Sequence, residues 1–326
     1  MTANFEEDWP AMLSRIVAIV GTAAIALVGS AGALAQEATP EASPAGESLF
    51  ANLGLPELTV TATDEGFELS ESEVEAGRYL VQFVNETDNP DVAAGFVRLV
   101  EGKTIDDLSF ADEMAAGTPM PQSEPDPQTF AWIYDTYIAG GVSSTSDQAV
   151  IDLRGGEYGV WADDPTSPIP AAPLTVTGDP DARVEGPEPE AAVTIVEEGA
   201  GGQGFKFTVT GEAKAGPQIV KILNASDQPH FVIGFHYPDE ITIEQAMEFI
   251  MFDPSSGATP SPNMLDETLL TFPMYAPIQS VGATQWVELD GEPGSVIIVC
   301  FVPDPVAGGI PHAFEGMVNL LPVAEG

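Results

Sequence analysis

The single cysteine of this chain ends an apolar run and is followed closely by a histidine and a methionine. Cys300 closes the stretch Val-Ile-Ile-Val-Cys, and His312 and Met317 lie shortly after it in one loop. A second histidine, His230, lies upstream after the turn Asn-Ala-Ser-Asp-Gln-Pro. Soft sulfur ligands suit Cu(I), imidazole suits both oxidation states of copper, and methionine can serve as a weak axial ligand. The four residues therefore predict a type 1 copper site, which exchanges electrons.

Other interpretations of these residues stay open at this point. Zinc also accepts two histidines and one cysteine, although a methionine in the fourth position favours copper. Taken singly, Cys300 could be a buried structural thiol, His312 an ordinary loop residue and Met317 part of the core. The third histidine, His236, lies six residues beyond His230, about 20 Å away along an extended strand. We expect His236 to be a strand-end polar residue and not a ligand.

The N-terminal 35 residues are predicted to be a signal peptide. Residues 16–35 are small and apolar, carry no charge, and end in Ala33-Leu34-Ala35, which is the pattern of an apolar segment with a cleavage site. We therefore expect a secreted protein, extracellular or periplasmic, without stable membrane insertion after cleavage. A permanent membrane anchor is the alternative. Residues 36–55 are rich in Pro, Ala, Glu and Ser and are predicted to be a disordered linker.

The chain is strongly acidic, with 51 Asp and Glu against 9 Lys and Arg and a net charge of -42. Removing residues 1–35 leaves 48 acidic against 8 basic residues, a charge of -40. This charge excludes binding to nucleic acid. A redox partner protein is expected to dock through a basic patch, so that its association should slow as salt screens the charges.

The two halves of the chain are copies of each other. Residues 76–96 align with residues 215–235 without a gap, at an offset of 139. Trp161 and Cys300 are related by the same offset. The duplication predicts one domain over residues 56–178, a linker over residues 179–190 and a second domain over residues 191–326.

Each half contains short β-branched or aromatic runs separated by Gly, Pro and Asp, as in a β-sandwich. We therefore predict an all-β chain of two tandem Greek-key β-sandwiches. One short helix is expected in a long connection of each half. In the second half it covers residues 241–251 with Thr242 as its N-cap, and its counterpart in the first half covers residues 104–114.

With these elements in place, residues 191–324 resemble the cupredoxin family of blue-copper proteins, which includes plastocyanin and halocyanin. In that family an Asn-containing turn leads into the first His ligand, and a late strand supplies the Cys. One loop then carries the second His and the Met, as in the His-x4-Met spacing here. The resemblance implies a cupredoxin fold, one copper ion, and an exposed second histidine through which the electron leaves. The implied metal ligands are His230, Cys300, His312 and Met317.

The sequence departs from the family's pattern between the cysteine and the second histidine. Eleven residues separate Cys300 from His312, whereas several family members have far fewer. A longer loop can still return the histidine, because the entropy of loop closure grows slowly with length. We expect the insertion to change how open the site is.

The first half keeps the strand pattern but lacks the ligands. Asp91 lies at the position of His230, Trp161 at that of Cys300, and Ala171 at that of the second histidine. We therefore predict a metal-free first domain and one type 1 copper per chain.

The leading functional prediction is secreted, soluble electron transfer. The alternatives are copper binding or delivery without a dedicated redox partner, and an interaction module with a vestigial site. The sequence contains no serine-hydrolase elbow, P-loop, His-Glu-x-x-His or dinucleotide-binding motif. Three histidines are too few for the trinuclear centre of a multicopper oxidase. We therefore expect that the protein is not an enzyme.

Overall fold

A computed structural model describes residues 48–108, 131–163, 169–252 and 259–326. The predicted signal peptide, most of the predicted linker 36–55 and the end of the predicted helix 104–114 lie outside these ranges. In the described ranges, no helix is both long and apolar enough to span a membrane.

Strands make up most of the ordered structure in the described ranges, which also contain two α-helices, α1 (Ala131–Tyr134) and α2 (Ile243–Met251). The strands of the first half are β1 (Glu57–Thr63), β2 (Gly66–Leu69), β3 (Glu73–Glu75), β4 (Gly77–Asn85), β5 (Ala93–Arg98), β6 (Ile138–Ser143), β7 (Gln148–Leu153), β8 (Gly156–Ala162) and β9 (Ala172–Thr177). Those of the second half are β10 (Val193–Ala200), β11 (Gly204–Gly211), β12 (Ala213–Lys214), β13 (Gly216–Asn224), β14 (His230–Tyr237), β15 (Thr271–Gln279), β16 (Thr284–Gly291), β17 (Gly294–Val299), β18 (Pro303–Asp304), β19 (Ile310–Pro311) and β20 (Val318–Ala324).

Alternation of side chains places one face of each outer strand in the core. In β1, Leu58, Val60 and Ala62 are fully buried while the residues between them are partly exposed, as the two-residue period of a strand requires. The central strands are buried on both faces; all six residues of β6 are buried.

The two halves have the same strand order. One sheet of the first half runs β2-β1-β4-β7, and its counterpart in the second half runs β11-β10-β13-β16. The opposite sheets run β3-β9-β8-β5-β6 and β12-β20-β17-β14-β15. Each half is thus a cupredoxin-like sandwich of two sheets, which confirms the predicted fold class.

The two sandwiches are joined edge to edge through equivalent strands. β7 pairs with β16, and β6 pairs with β15, so an eight-stranded and a ten-stranded sheet run through both halves. Ala139, Ala149, Ala276 and Val287 are fully buried along this seam. One hydrophobic core consequently contains residues of both halves, and the pairing leaves no free edge at the seam.

The segments predicted to be linkers pack against the sandwiches where the structure describes them. Phe50 is 1% exposed and lies in a cluster with Leu80 and Trp286. In the second linker, the carbonyl oxygens of Gly186 and Pro187 each accept a hydrogen bond of 3.2 Å from Arg78. An aromatic ring and a guanidinium thus contribute to holding segments that are otherwise rich in Pro and Glu.

The predicted helix of the second half is confirmed. Thr242 is the N-cap of α2, and its side chain forms a capping box with Gln245, which satisfies backbone N–H groups at the helix start. In the first half, a 3-10 helix covers Ile105–Leu108. Helix α1, which the sequence analysis did not predict, follows later in the same connection.

Because the halves share a core, we expect them to unfold together. Leu174 in β9 is fully buried and distant from the seam, and Leu174→Ala should lower the free energy of unfolding by about 2–5 kcal/mol. Calorimetry of Leu174→Ala should show one transition at a lower temperature than in wild type. Val84→Ala, at an exposed position, should change the transition temperature little. Two separate transitions, with the upper one unchanged, would contradict the shared core.

Candidate metal centre

Four elements of the second half place the predicted ligands at one end of the sandwich. His230 opens β14, and Cys300 follows the last residue of β17. These two strands are antiparallel neighbours, with Ile233 opposite Val299. His312 opens a 3-10 helix, and Met317 lies just before β20, the other neighbour of β17.

The cysteine and the two histidines lie in contact. The Sγ atom of Cys300 is 3.6 Å from Nδ1 of His230 and 3.7 Å from Nδ1 of His312. All three side chains are fully buried, and their ligand atoms lie within 4.8 Å of one another. An ion at about 2.3 Å from sulfur and 2.0 Å from nitrogen would hold these atoms about 3.5–3.7 Å apart. The three donors therefore fit one metal ion.

The backbone ties Met317 to the other predicted ligands. The N–H of Met317 donates to the carbonyl of His312 at 2.9 Å, and the N–H of Cys300 donates to the carbonyl of Met317 at 3.3 Å. Met317 is fully buried. Gly316 before it has a φ of 107°, a conformation that glycine adopts without steric cost.

The second nitrogen of each imidazole has its own hydrogen-bond partner. Nε2 of His230 lies 2.7 Å from Oγ of Ser226, which itself donates to Oδ1 of Asn224 at 2.8 Å. Nε2 of His312 lies 3.1 Å from Oε1 of Gln228. These partners hold the proton on Nε2 and leave the lone pair of Nδ1 facing the Cys300 sulfur, and the same kind of hydrogen bond fixes imidazole ligands in metal sites.

A buried carboxylate fixes Gln228 in turn. Nε2 of Gln228 donates to Oδ1 of Asp304 at 2.7 Å, and Asp304 also accepts from the backbone N–H of Gly202 and of Val306 at 2.7 Å each. Asp304 is fully buried. The carboxylate thus links the loop of His312 to the β10–β11 turn.

Burial shifts the pKa values of all three candidate ligands toward their neutral forms. Burial lowers the pKa of His230 to about 2, with a further contribution from His312, and lowers the pKa of His312 to about 4 against the opposing effect of Asp304. Burial raises the pKa of the Cys300 thiol, and backbone hydrogen bonds from Phe231 and Val302 oppose this shift. Both imidazoles are therefore ready to bind a metal at neutral pH, and the thiol would release its proton on binding.

The structure corrects the expectation that the second histidine is exposed. The imidazole of His312 is fully buried, with the ring of Phe205 packed at a centroid distance of 4.1 Å. The insertion after Cys300 forms the short hairpin β18–β19 and carries Asp304. Its side chains Val306 and Ile310 are 70% and 43% exposed. The longer loop thus closes the site.

Sequence reasoning missed Ser226, Gln228 and Asp304 as supports of the ligands. The signal for the first two was present, because both belong to the turn before His230. The first half keeps that turn: Asn85 accepts from Thr87 and donates to the carbonyl of Asn89, just as Asn224 accepts from Ser226 and donates to Gln228. The turn is therefore a feature of the fold, and only the second half uses it to hold imidazoles.

The remaining sequence predictions concern residues away from this cluster. His236 is buried, and its Nε2 lies 3.1 Å from the carbonyl of Pro293. Trp161 lies opposite Gly95, where a Cβ atom would be only 2.6 Å from the indole nitrogen. The indole packs with Val97, Leu108 and Ile138, whereas Cys300 belongs to the core shared by both halves, so the common sequence offset does not place the indole where the cysteine lies. Among the described residues, the group found close enough to share an ion is the one in the second half.

Comparison with known proteins finds similar solved structures but no matching family. No protein-family model matches the chain, and no curated protein matches it. Solved structures similar to it include a reduced auracyanin from Roseiflexus castenholzii, 18% identical, which aligns with 41% of this chain over 99% of its own length at a TM-score of 0.25. A copper nitrite reductase from Nitrosomonas europaea is 11% identical and aligns with 83% of this chain over 93% of its own, at a TM-score of 0.22. The strand order of the two halves, and not these alignments, supports the cupredoxin-like fold.

The expectation that the protein is not an enzyme is corrected by these neighbours. Besides the nitrite reductase, they include a multicopper oxidase that is 13% identical and aligns with 82% of this chain over 88% of its own, at a TM-score of 0.21. Because copper enzymes are among the structures of this fold, the lack of a recognised catalytic motif does not exclude an enzymatic role.

Removing the support of His312 should weaken metal binding. Gln228→Ala deletes the acceptor for Nε2 and the link to Asp304, and the dissociation constant for copper should rise about 10- to 100-fold. Competition with a chelator measures the change. Gln203→Ala, on the exposed turn nearby, is the matched control. An equal affinity in wild type and Gln228→Ala would show that the hydrogen bond does not hold the ligand.

The two histidines should also make the apo-protein less stable in acid. Their pKa values in the fold are about 2 and about 4, whereas the unfolded chain regains a value of about 6.5. Between pH 6.5 and 4 the unfolded state therefore binds protons that the folded state does not, and the free energy of unfolding falls as pH falls. Urea unfolding at several pH values should show this loss in wild type, and a smaller one in the double variant His230→Gln/His312→Gln. If the free energy of unfolding fell equally steeply with pH in wild type and in the double variant, the low pKa values would not belong to these two histidines.

Proposed function

We propose that the protein carries electrons at one type 1 copper site in its second half. The observation that carries this proposal is the convergence of a thiol and two imidazole nitrogens at 3.6–3.7 Å in a fully buried position. Sulfur and imidazole donors suit copper in both oxidation states. Bound copper would supply the reversible one-electron chemistry.

The protein's part in this function is to hold the donors still. His230 and Cys300 are fixed by neighbouring strands, and His312 by Gln228 and Phe205. A site that cannot relax between oxidation states loses little energy to reorganisation during electron transfer. Burial also excludes water, which would otherwise compete for the open coordination positions of the ion.

The same burial argues against copper delivery as the main function. Release of an ion to another protein needs a ligand that can be reached by the acceptor, and all four proposed ligands, including Met317, are fully buried. An electron can cross this layer of side chains, whereas an ion cannot leave without opening the loop after Cys300.

The remaining parts of the proposal come from the sequence. We propose one copper per chain, because Asp91, Trp161 and Ala171 cannot reproduce the ligand set. The predicted signal peptide supports a secreted or periplasmic location. The acidic surface favours a redox partner that docks through a basic patch.

The copper-loaded protein should be blue or green, through charge transfer from the Cys300 thiolate. Cys300→Ser removes the thiolate and should abolish the colour. Met317→Leu removes only a weak axial donor and should keep the colour and raise the reduction potential, because the oxidised ion loses more from the missing thioether. Visible spectroscopy during anaerobic copper titration measures both. A colourless wild-type protein with stoichiometric Cu(II) would refute type 1 copper.

A further inference from the structure

The half without ligands reaches the metal centre of the other half through a carboxylate. Asp163 lies two residues after Trp161, and its Oδ2 accepts hydrogen bonds from the hydroxyl of Tyr275 at 2.8 Å and from the backbone N–H of Ile278 at 2.9 Å. Both donors belong to β15, on the far side of the seam. At the offset of 139, the residue of the second half that corresponds to Asp163 is the buried Val302.

The partners of Asp163 lead directly to the candidate ligands. The ring of Tyr275 packs on that of Phe231 at a centroid distance of 6.0 Å. Phe231 follows His230 in the chain, and its backbone forms a hydrogen bond with the Cys300 sulfur. Burial raises the pKa of the Cys300 thiol most, and the charges of Glu197 and Asp163 contribute in the same direction.

A second residue of the first half holds the loop between Cys300 and His312. The hydroxyl of Tyr134, at the end of α1, donates to the carbonyl of Pro303 at 3.0 Å. Pro303 pairs with Pro311, the residue before His312. Tyr134 is partly buried, and burial together with the charges of Cys300 and Asp304 raises the pKa of its hydroxyl.

We propose that the half without ligands forms one side of the metal centre. Asp163 lowers the reduction potential of the copper, and Tyr134 holds the loop between Cys300 and His312 closed. This inference rests on the proposed function. It gives the first half a role that its missing ligands do not explain.

The direction of the electrostatic effect follows from charge alone. Two hydrogen-bond donors favour the ionised form of Asp163. A negative charge near the site stabilises the more positive, oxidised ion over the reduced one, and partial burial keeps water from screening it. The carboxylate should therefore make copper harder to reduce.

Spectroelectrochemical titration of the copper-loaded full chain tests the carboxylate. Asp163→Asn keeps the shape and one acceptor oxygen but removes the charge, so the reduction potential should shift to more positive values. Asp163→Glu should stay nearer to wild type. Asp181→Asn removes a carboxylate from the exposed connector and should leave the potential unchanged. Equal potentials in wild type and Asp163→Asn, or an equal shift in Asp181→Asn, would overturn the proposal.

Copper release to an excess of chelator tests the tyrosine. Tyr134→Phe loses only the hydroxyl bonded to Pro303, and release should become several-fold faster while the potential changes little. Unchanged release would remove Tyr134 from the proposal. If Asp163→Asn binds no copper, Asp163→Ser is measured in its place. Loss of copper binding in both would mean that the carboxylate is structural and not a determinant of the potential. A wild-type chain that binds no copper refutes the proposed function itself, which is distinct from each of these results.

Discussion

Burying a thiol and two imidazoles together leaves polar atoms around them with no water to bond. Each unsatisfied buried donor or acceptor would cost about 1–3 kcal/mol. The second ring nitrogen of each imidazole therefore needs a hydrogen-bond partner if the ligands are to stay in this position. Ser226 and Gln228 supply these partners from the turn before His230. Asp304 then satisfies Gln228 and two backbone N–H groups. The long loop after Cys300 is explained by this requirement, since it brings in Asp304 to complete the network.

The duplication shows which features belong to the fold of each half and which belong to the metal site alone. Both halves have the same strand order and the same Asn-centred turn, yet only the second carries the ligand set. In the first half the indole of Trp161 packs beside Gly95. The equivalent edge strands pair across the seam, and each half covers an edge that would otherwise be open to association with other chains. A half without ligands therefore still stabilises the half that has them.

The sequence predicted the fold class and the helix capped by Thr242, because two-residue alternation, turn residues and a capping box are local signals. The sequence also identified the three residues whose donor atoms lie in contact, His230, Cys300 and His312. It could do so because the first half is a copy of the second in which these residues are absent. It could not predict the seam, since edge-to-edge pairing depends on which strands lie outermost in three dimensions. One trace of the seam is visible afterwards: a Cβ atom at Gly140 would lie 2.6 Å from Oε1 of Gln285 in the other half. The burial of His312 was not predicted, because the expectation rested on the length of the loop after Cys300 and not on the hydrogen bonds of Asp304 within it.

Two fully buried acids of the second half show how the donors around a carboxyl group decide its charge. Burial raises the pKa of Asp304, but hydrogen bonds from Gln228 and from the backbone of Gly202, Val306 and Ala307 outweigh it, and the pKa is lowered. Glu197 has one donor, Nε2 of Gln279 at 2.9 Å, and burial raises its pKa to about 8.

Within the described residues, Oε1 of Glu197 and Oε1 of Gln279 have no hydrogen-bond partner. A proton on Glu197 removes its charge and turns one of these acceptors into a donor, so the neutral acid is the form that suits the site at pH 7. Because the unfolded chain gives up this proton near pH 4.5, the contribution of Glu197 to the free energy of unfolding falls as the pH rises toward 8. Near the proposed copper, the chain thus keeps charge on Asp304, which several donors surround, and removes it from Glu197, for which the described residues supply one donor.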